Sequence, residues 1–410
     1  MSRQPAPAPL RVLGYDLITR EVETPATPDG PEPATALVLV RWRGRPLGLV
    51  EVPNGSDDLI ASRVDEAARE LHSAELDAEV PLELSRQPLL SVVVATLRNP
   101  EAAVRCVRRI LDGDYPHVEV LLVDNDDSPL ALRQIAARTF GPEDPVVLVH
   151  EPRRGLSRAR NAGLAAAEGE FVVFTDDDVL VDRGWARALV GALLSGDDVA
   201  CATGPIIPSE LVTPSQRWLE EYGGFSKGFE RKKFNLTTHR LDTPLFPFDS
   251  GKFGSGANLA FRTDRLRQLG GFAEDLGAGT LAHGGEDLDV LLRTVRAGHS
   301  IVYEPSALLW HAHRRSYEAL RRQMYRYGVG LSATVTKWML EDRRTAGEVL
   351  SRVPAGLGQL LNGRSAKNAR KSTSYPRVLS ILELVGVCAG PVAYVRSRRR
   401  TAQRDASAGN

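Results

Sequence analysis

Phe171-Val172-Val173-Phe174-Thr175-Asp176-Asp177-Asp178 is the stretch that decides the fold: five residues that can all be buried run straight into three carboxylates. A run so continuously apolar reads as a strand covered on both faces, the pattern of a parallel sheet between helices. The same alternation recurs on either side. Residues 90–95, 118–123, 146–149 and 199–203 are further apolar strand runs. Between them Asn99 offers a cap for a helix with Pro100 at its first position, an apolar stripe of Val104, Val107, Ile110 and Leu111, and Gly113 as its stop. Ser157 opens another helix that runs to Gly169. Strand and helix thus alternate, which predicts an α/β domain with a mostly parallel sheet.

In such sheets ligands bind beyond the carboxyl ends of the strands. Successive residues at a strand end point to different sides, so Asp176 and Asp178 can face one pocket together. Carboxylates gathered there repel one another unless a cation or a ligand's donors satisfy them. Hard oxygen donors suit Mg²⁺ or Mn²⁺, ions that typically bridge a few carboxylates to substrate phosphates. An acidic turn capping the next helix is the competing reading; the apolar strand that feeds the triplet favours the functional one.

Four other clusters carry chemistry. Val123-Asp124-Asn125-Asp126-Asp127 follows an apolar strand and belongs on the same sheet edge, although Asp-Asp-Ser-Pro is also good turn chemistry. Gly155-Leu156-Ser157-Arg158-Ala159-Arg160-Asn161-Ala162-Gly163 opens a helix whose amides and positive end suit an anion. Its two arginines sit where the dipole disfavours cations, so at least one should be held by an anion or carboxylate, with Arg160 the better candidate for an ordinary surface arginine. Gly284-Gly285-Glu286-Asp287-Leu288-Asp289 places carboxylates in a helix's first turn, where the dipole favours them anyway. The two glycines before them point to a close approach by backbone or substrate, leaving a carboxylate free as general base. Trp310-His311-Ala312-His313 puts two imidazoles on one side of an extended segment.

In this order the residues resemble glycosyltransferase family 2, the inverting nucleotide-sugar enzymes with the GT-A fold. The resemblance spans about residues 89–315 and rests on Ser91-Val92-Val93-Val94-Ala95-Thr96, Val123-Asp124-Asn125, the 155–163 segment and Phe174-Thr175-Asp176-Asp177-Asp178. It continues with Gly256-Ala257-Asn258, Gly270-Gly271-Phe272, Gly285-Glu286-Asp287-Leu288-Asp289 and Trp310-His311. It implies a nucleotide-sugar donor held by Thr96, Asp124, Asn125, Arg158, Asn161, Asp176 and Asp177. It implies a divalent metal, Mg²⁺ or Mn²⁺, on Asp178, Asp176 and His311, with Asp177 the most structural of the triplet. Asp287 becomes the general base, and Glu286 and Asn258 fall on the acceptor side. The acceptor class is a glycan, a lipid-linked molecule or a small molecule, as in polysaccharide or cell-envelope assembly. Ala95-Thr96-Leu97-Arg98 departs from the family's usual Pro-Thr-Tyr-Asn at the first strand's end. Two other functions compete. Nucleotidyl transfer to sugar phosphates usually wants a glycine-rich basic loop soon after the first strand, and none stands there. A non-catalytic glycan-binding protein is disfavoured by the complete carboxylate set.

Four regions are expected: a small α+β module with a disordered lead over 1–85, the catalytic domain over 86–315, a helical region over 316–400 and a disordered tail over 401–410. The N-terminal module is a hairpin around Arg43-Gly44-Arg45-Pro46 followed by a helix over 57–79. Residues 205–253 read as an irregular excursion lying over the site. Of the 410 residues, 52 are Lys or Arg and 52 Asp or Glu, so no global field favours nucleic acid and none is expected as a partner. Cys106, Cys201 and Cys388 show neither metal-ligand spacing nor a disulfide framework, which fits a reducing compartment. The apolar run 378–395 followed by Arg396-Ser397-Arg398-Arg399-Arg400 suits an interfacial helix with a basic anchor, or a packed terminal helix with a solvated tail. A cytoplasmic location is the expectation, with peripheral contact through 378–400 on the cytoplasmic face of a membrane.

Overall fold

The computed structural model describes residues 6–26, 32–68, 84–363, 365 and 367–408. The chain opens with strands β1 (Arg11–Asp16), β2 (Val22–Glu23), β3 (Thr35–Trp42) and β4 (Arg45–Pro53), followed by helix α1 (Asp57–Ala68). The expected hairpin is β3–β4. β1, not expected from the sequence, pairs parallel to β3 and completes a sheet of order β2-β1-β3-β4. The part of the expected 57–79 helix beyond Ala68 and the first residues of the lead lie outside the described residues.

The larger domain continues through β5 (Leu90–Thr96), α2 (Pro100–Leu111), β6 (Val118–Asp124), α3 (Leu130–Thr139), β7 (Val146–His150), α4 (Leu156–Ala166), β8 (Phe171–Asp176), β9 (Val179–Val181), α5 (Trp185–Leu194) and β10 (Val199–Thr203). Then come β11 (Ile206–Pro208), α6 (Pro214–Tyr222), β12 (Lys232–Phe234), β13 (Leu259–Arg262), α7 (Thr263–Gln268), α8 (Glu286–Arg296), β14 (Ser300–Tyr303) and β15 (Leu309–His311). Three helices follow: α9 (Tyr317–Glu341), α10 (Arg343–Leu361) and α11 (Arg377–Ala408).

Eight strands form the main sheet in the order β12-β14-β10-β13-β8-β5-β6-β7. The β8-β5-β6-β7 half is all parallel, and β13 runs antiparallel between β8 and β10. Both faces are covered. Val92, Val94 and Val173 pack with α2 and α5 residues such as Val107 and Leu189. Val93, Val172 and Phe174 pack with Leu164 of α4, Leu266 of α7 and Leu291 of α8. This two-sided burial is the physical reason the strands are continuously apolar in sequence.

A small sheet of order β11-β15-β9 sits beside the main one. It seats the N-terminal module, because Leu10, Val12 and Leu39 share a core with Ile207, Leu211, Leu308 and Trp310. Arg41 reaches Asp182 at 2.7 Å across the same seam. The module is therefore packed onto the larger domain and is not the separate unit expected. The 205–253 excursion is also more regular than expected. It contains β11, α6 and β12, and α6 begins with a full capping box between Thr213 and Gln216. The expected disordered tail is corrected too, since α11 runs on to Ala408.

Candidate active site

Parallel register brings the acidic motifs into line. Thr96 of β5 faces Asp124 of β6, and Ala95 faces Asp176 of β8. The carboxyl ends of three adjacent strands thus carry Asp124, Thr96 and Asp176 on one edge. Asp124 Oδ1 accepts from the Asp126 amide at 3.0 Å, and burial raises its pKa. Thr96 Oγ1 donates to Asp177 Oδ2 at 2.6 Å. Burial, with Asp178 and Asp176 as neighbours, pushes Asp177 up to about 6. Its inward, hydrogen-bonded position suits a structural residue.

Arg160 departs from the surface position expected for it. It is 1% exposed, not a surface arginine. Its Nη1 donates to Glu286 Oε1 at 2.9 Å; its Nη2 donates to the Gly256 carbonyl at 2.9 Å and to Asp176 Oδ1 at 3.2 Å. The Phe272 ring lies 5.4 Å from the guanidinium carbon. The Gly256 amide in turn donates to Asp287 Oδ2 at 3.0 Å. One guanidinium thus ties the end of β8, the approach to β13 and the first turn of α8 into a closed ring. Burial and the adjacent Asp287 raise the Glu286 pKa, and Arg160 opposes them. Asp287 is less buried than Glu286, and its Oδ1 accepts only the next residue's amide, at 2.8 Å. Of the two, Asp287 is the carboxylate a substrate can reach.

Helix α8 owes its position to Gly285, whose φ is +89° and whose missing side chain leaves room for Thr334 and the Gly330 carbonyl of α9. The close approach expected at these glycines is therefore made by helix α9. Acidic residues at α8's amino end are then favoured by the helix dipole as well as by Arg160.

Asp178 meets His311 through the small sheet. His311 pairs with Val179, the residue after Asp178, and the Ala312 amide donates to the Asp178 carbonyl at 3.3 Å. His311 Nε2 then lies 3.5 Å from Asp178 Oδ1. Burial holds the His311 pKa below its usual value. Two donors, one oxygen and one nitrogen, face each other there. No group of three or more His, Cys, Asp or Glu side chains poised for a metal occurs among the described residues. Arg160 holds one oxygen of Asp176, so Asp178 and His311 are the two that face each other directly. A two-residue set still fits Mg²⁺ or Mn²⁺, which keep several waters and bind substrate phosphates beside one or two protein donors.

Several expected contacts prove structural. Asn258 is 0% exposed: its Oδ1 accepts from Trp185 Nε1 at 2.9 Å, and its Nδ2 donates to the Ala307 and Pro205 carbonyls at 2.7 and 3.2 Å. It has no surface for an acceptor. Asn125 is spent on the 151–155 loop, donating to the Glu151 and Arg153 carbonyls at 2.7 and 3.1 Å and accepting from the Gly155 amide at 2.8 Å. Asn161 clasps both backbone groups of Phe272, and buried Arg158 pairs with Glu274 at 3.0 Å. The amide at the start of α4 is likewise taken, Leu156 donating to the Ala278 carbonyl at 2.9 Å. Two cations went unnoticed in the sequence. Arg314 Nη2 lies 3.9 Å from Asp178 Oδ2. Lys227, its pKa lowered by burial, feels both Asp287 and Glu220.

Residues 91–262 match the family model described as Glycosyl transferase family 2. This domain belongs to glycosyl transferase family 2. A relative named pre-mycofactocin glycosyltransferase, from Mycobacterium tuberculosis, is 30% identical over 259 residues, 61% of this chain and 49% of the relative. The chain thus spans about half the length of that protein. The succinoglycan biosynthesis protein ExoM of Rhizobium meliloti is 27% identical over 58% of this chain and 72% of its own. A solved mannosyltransferase from Pyrobaculum calidifontis, in complex with GDP-Man and Mn²⁺, matches at 21% identity and a TM-score of 0.49, covering 80% of this chain and 93% of that one. The family 2 match contains Asp124, Arg160, Asp176 and Asp178. Asp287 and His311 lie beyond it and join the site through the geometry above.

Proposed function

We propose that this family 2 protein transfers a sugar from a nucleoside-diphosphate sugar to an acceptor hydroxyl with inversion, with Asp287 as general base. The observation that carries this reading is the Arg160 ring, which holds Asp176 at the nucleotide edge and Asp287 at the α8 edge in one rigid frame. Asp124 and Asp176 line the edge that receives the nucleoside. Arg314 supplies positive charge beside Asp178 where the diphosphate would lie. Asp178 and His311 would hold the divalent ion, which supplies Lewis-acid neutralisation of the departing diphosphate's charge. Asp287 takes the acceptor proton on the opposite face of the sugar, a contribution of about 10²–10⁴-fold. Direct in-line displacement needs no covalent nucleophile. The relatives named for pre-mycofactocin and succinoglycan support a glycan or small-molecule acceptor.

Membrane contact through α11 is part of the proposal. It is the one helix among the described residues long and apolar enough to cross a membrane, yet one face is packed against α9. Its opposite face exposes Val378, Ile381, Val385 and Val392 at helical spacing. Arg377 precedes this stripe and Arg396, Arg398, Arg399 and Arg400 follow it. The only acid between them, Glu383, is buried against Tyr222 and Lys367. An apolar stripe with basic ends suits an anionic lipid surface in the interfacial mode.

The activity is tested by incubating the full chain with a panel of nucleotide-sugars and Mn²⁺ and measuring released nucleoside diphosphate. Chelation should abolish release and Mn²⁺ restore it, and both Asp178→Ala and Asp287→Ala should abolish transfer. Transfer unaffected by both substitutions would overturn the role assignments.

A further inference from the structure

His313 lies beyond His311 as seen from Asp178 and has no part in the reaction above. It is 3% exposed. Its Nε2 is 2.7 Å from Glu220 Oε1 on α6, and its Nδ1 is 3.1 Å from His311 Nδ1. The Phe225 ring meets both imidazoles edge-on, with centroids 5.6 and 5.8 Å away. Four groups therefore stand in line: Glu220, His313, His311 and Asp178.

The protons in this line follow from what each group can donate. A carboxylate accepts only, so His313 Nε2 must carry a hydrogen. In the neutral ring His313 Nδ1 is then an acceptor, so His311 Nδ1 must donate to it. His311 Nε2 is left with its lone pair, and it is this atom that faces Asp178 Oδ1 at 3.5 Å. Two acceptors opposed in this way are matched to a cation and mismatched to each other. With no acceptor at Glu220, nothing would choose between the two His313 tautomers, and the choice at His311 would be lost with it.

We propose that Glu220 and His313 are positioning residues that lock His311 in its Nδ1–H tautomer, so that its Nε2 lone pair is presented to a divalent cation shared with Asp178. This rests on the reading of Asp178 and His311 as metal ligands. It also makes α6, an element of the 205–253 excursion, a determinant of metal affinity although it supplies no ligand.

The test uses the full chain and two readouts. Long-range proton–nitrogen correlation of the imidazoles in metal-free protein should show His311 as the Nδ1–H tautomer. Mn²⁺ titration followed by electron paramagnetic resonance, with nucleoside diphosphate present, gives the metal affinity. Glu220→Leu should mix the His311 tautomers and weaken Mn²⁺ binding on the order of 10-fold or more, the usual cost of losing an outer partner of a metal-bound histidine. Glu220→Gln, which keeps an acceptor oxygen, should restore most of both. The neighbouring Glu221→Leu, which removes only the exposed hydrogen bonds that Ser372 donates, should change neither. A His311 Nε2–H tautomer in the wild type, or unaltered Mn²⁺ affinity in Glu220→Leu, would overturn the positioning role. Failure of the wild type to bind Mn²⁺ would instead overturn the metal reading, and the tautomer spectrum would still judge the relay.

Discussion

Arg160 Nη2 stands 3.2 Å from Asp176 Oδ1, while Nη1 of the same guanidinium holds Glu286 at 2.9 Å. The pair joins two segments more than a hundred residues apart. Replacing Arg160 by Met would leave Glu286 buried and unpaired, which typically costs about 3–5 kcal/mol. Arg160→Met should therefore lower the denaturation midpoint strongly and abolish transfer. Arg160→Lys should recover part of the stability and little of the activity, because an ammonium cannot reproduce the fork that meets three acceptors. Equal activity in Lys and Arg proteins would show that the fork is dispensable.

Asn258 makes the opposite prediction. Its three hydrogen bonds are internal, so Asn258→Ala should act on folding and leave the chemistry intact. Each buried partner left unsatisfied costs about 1–3 kcal/mol. Thermal unfolding should shift markedly downward, while the donor KM of the folded enzyme stays at its wild-type value. A raised acceptor KM with unchanged stability would return Asn258 to the acceptor side.

How much of this was legible in the sequence differs by residue. Strands β5, β6 and β8 were readable because burial on both faces removes polar residues from them. The placement of Asp124, Asp176 and Asp287 followed from strand ends and a helix start. β1 was missed because Arg11-Val12-Leu13-Gly14-Tyr15-Asp16 is broken by a glycine and follows a proline-rich lead, and its pairing with β3 is non-local. Arg160 was misjudged because helical spacing says which face a residue takes but not what lies opposite; Glu286 and Gly256 arrive only on folding. Asn125, Asn161 and Asn258 look alike in sequence whether they bind ligands or staple loops, since an amide's partners here lie 26 or more positions away. The pairing of Asp178 with His311 needed the small β9–β15 ladder, for which strands of 3 residues leave almost no pattern.

Acid should loosen the segment next to His311. Glu210 accepts from Arg315 Nε and Nη2, both at 2.6 Å, and this pairing lowers its pKa from the ordinary 4.5. A depressed carboxylate pKa means that the folded state binds the proton less readily than the unfolded one. The stabilisation is therefore fully present above pH 4.5 and is lost as the pH falls through and below that value. Arg315 is half-exposed, so solvent limits the effect to about 1 kcal/mol or less. Glu210→Gln should unfold more easily than wild type at pH 7, and the two should converge as the pH approaches 3, measured by denaturant titration across that range. A gap independent of pH would show that the ion pair is not its source.

The exposed stripe of α11 gives a prediction independent of catalysis. In flotation assays the full chain should rise with vesicles containing anionic lipid and stay behind with neutral ones, and salt should weaken the association. Ile381→Asp combined with Val385→Asp should abolish flotation without loss of secondary structure, because both side chains are more than half exposed. Flotation unaltered by the double substitution would move the contact elsewhere.

Side chains are missing where α9 and α11 cross. A Cβ on Gly386 would collide with the Tyr325 carbonyl, one on Gly328 with the Glu383 carbonyl and one on Gly390 with Ser332. Backbone therefore rests on backbone, and the two helices form a stiff spar with little slack for sliding. α9 begins at Tyr317, a few residues after His313, and touches α8 behind Gly285. A load borne by α11 would thus reach both ends of the candidate site with little compliance. Anchored along that helix, the protein would hold the candidate site at one height and one tilt above the surface, and so set by mechanics which hydroxyls of an anchored acceptor come within reach.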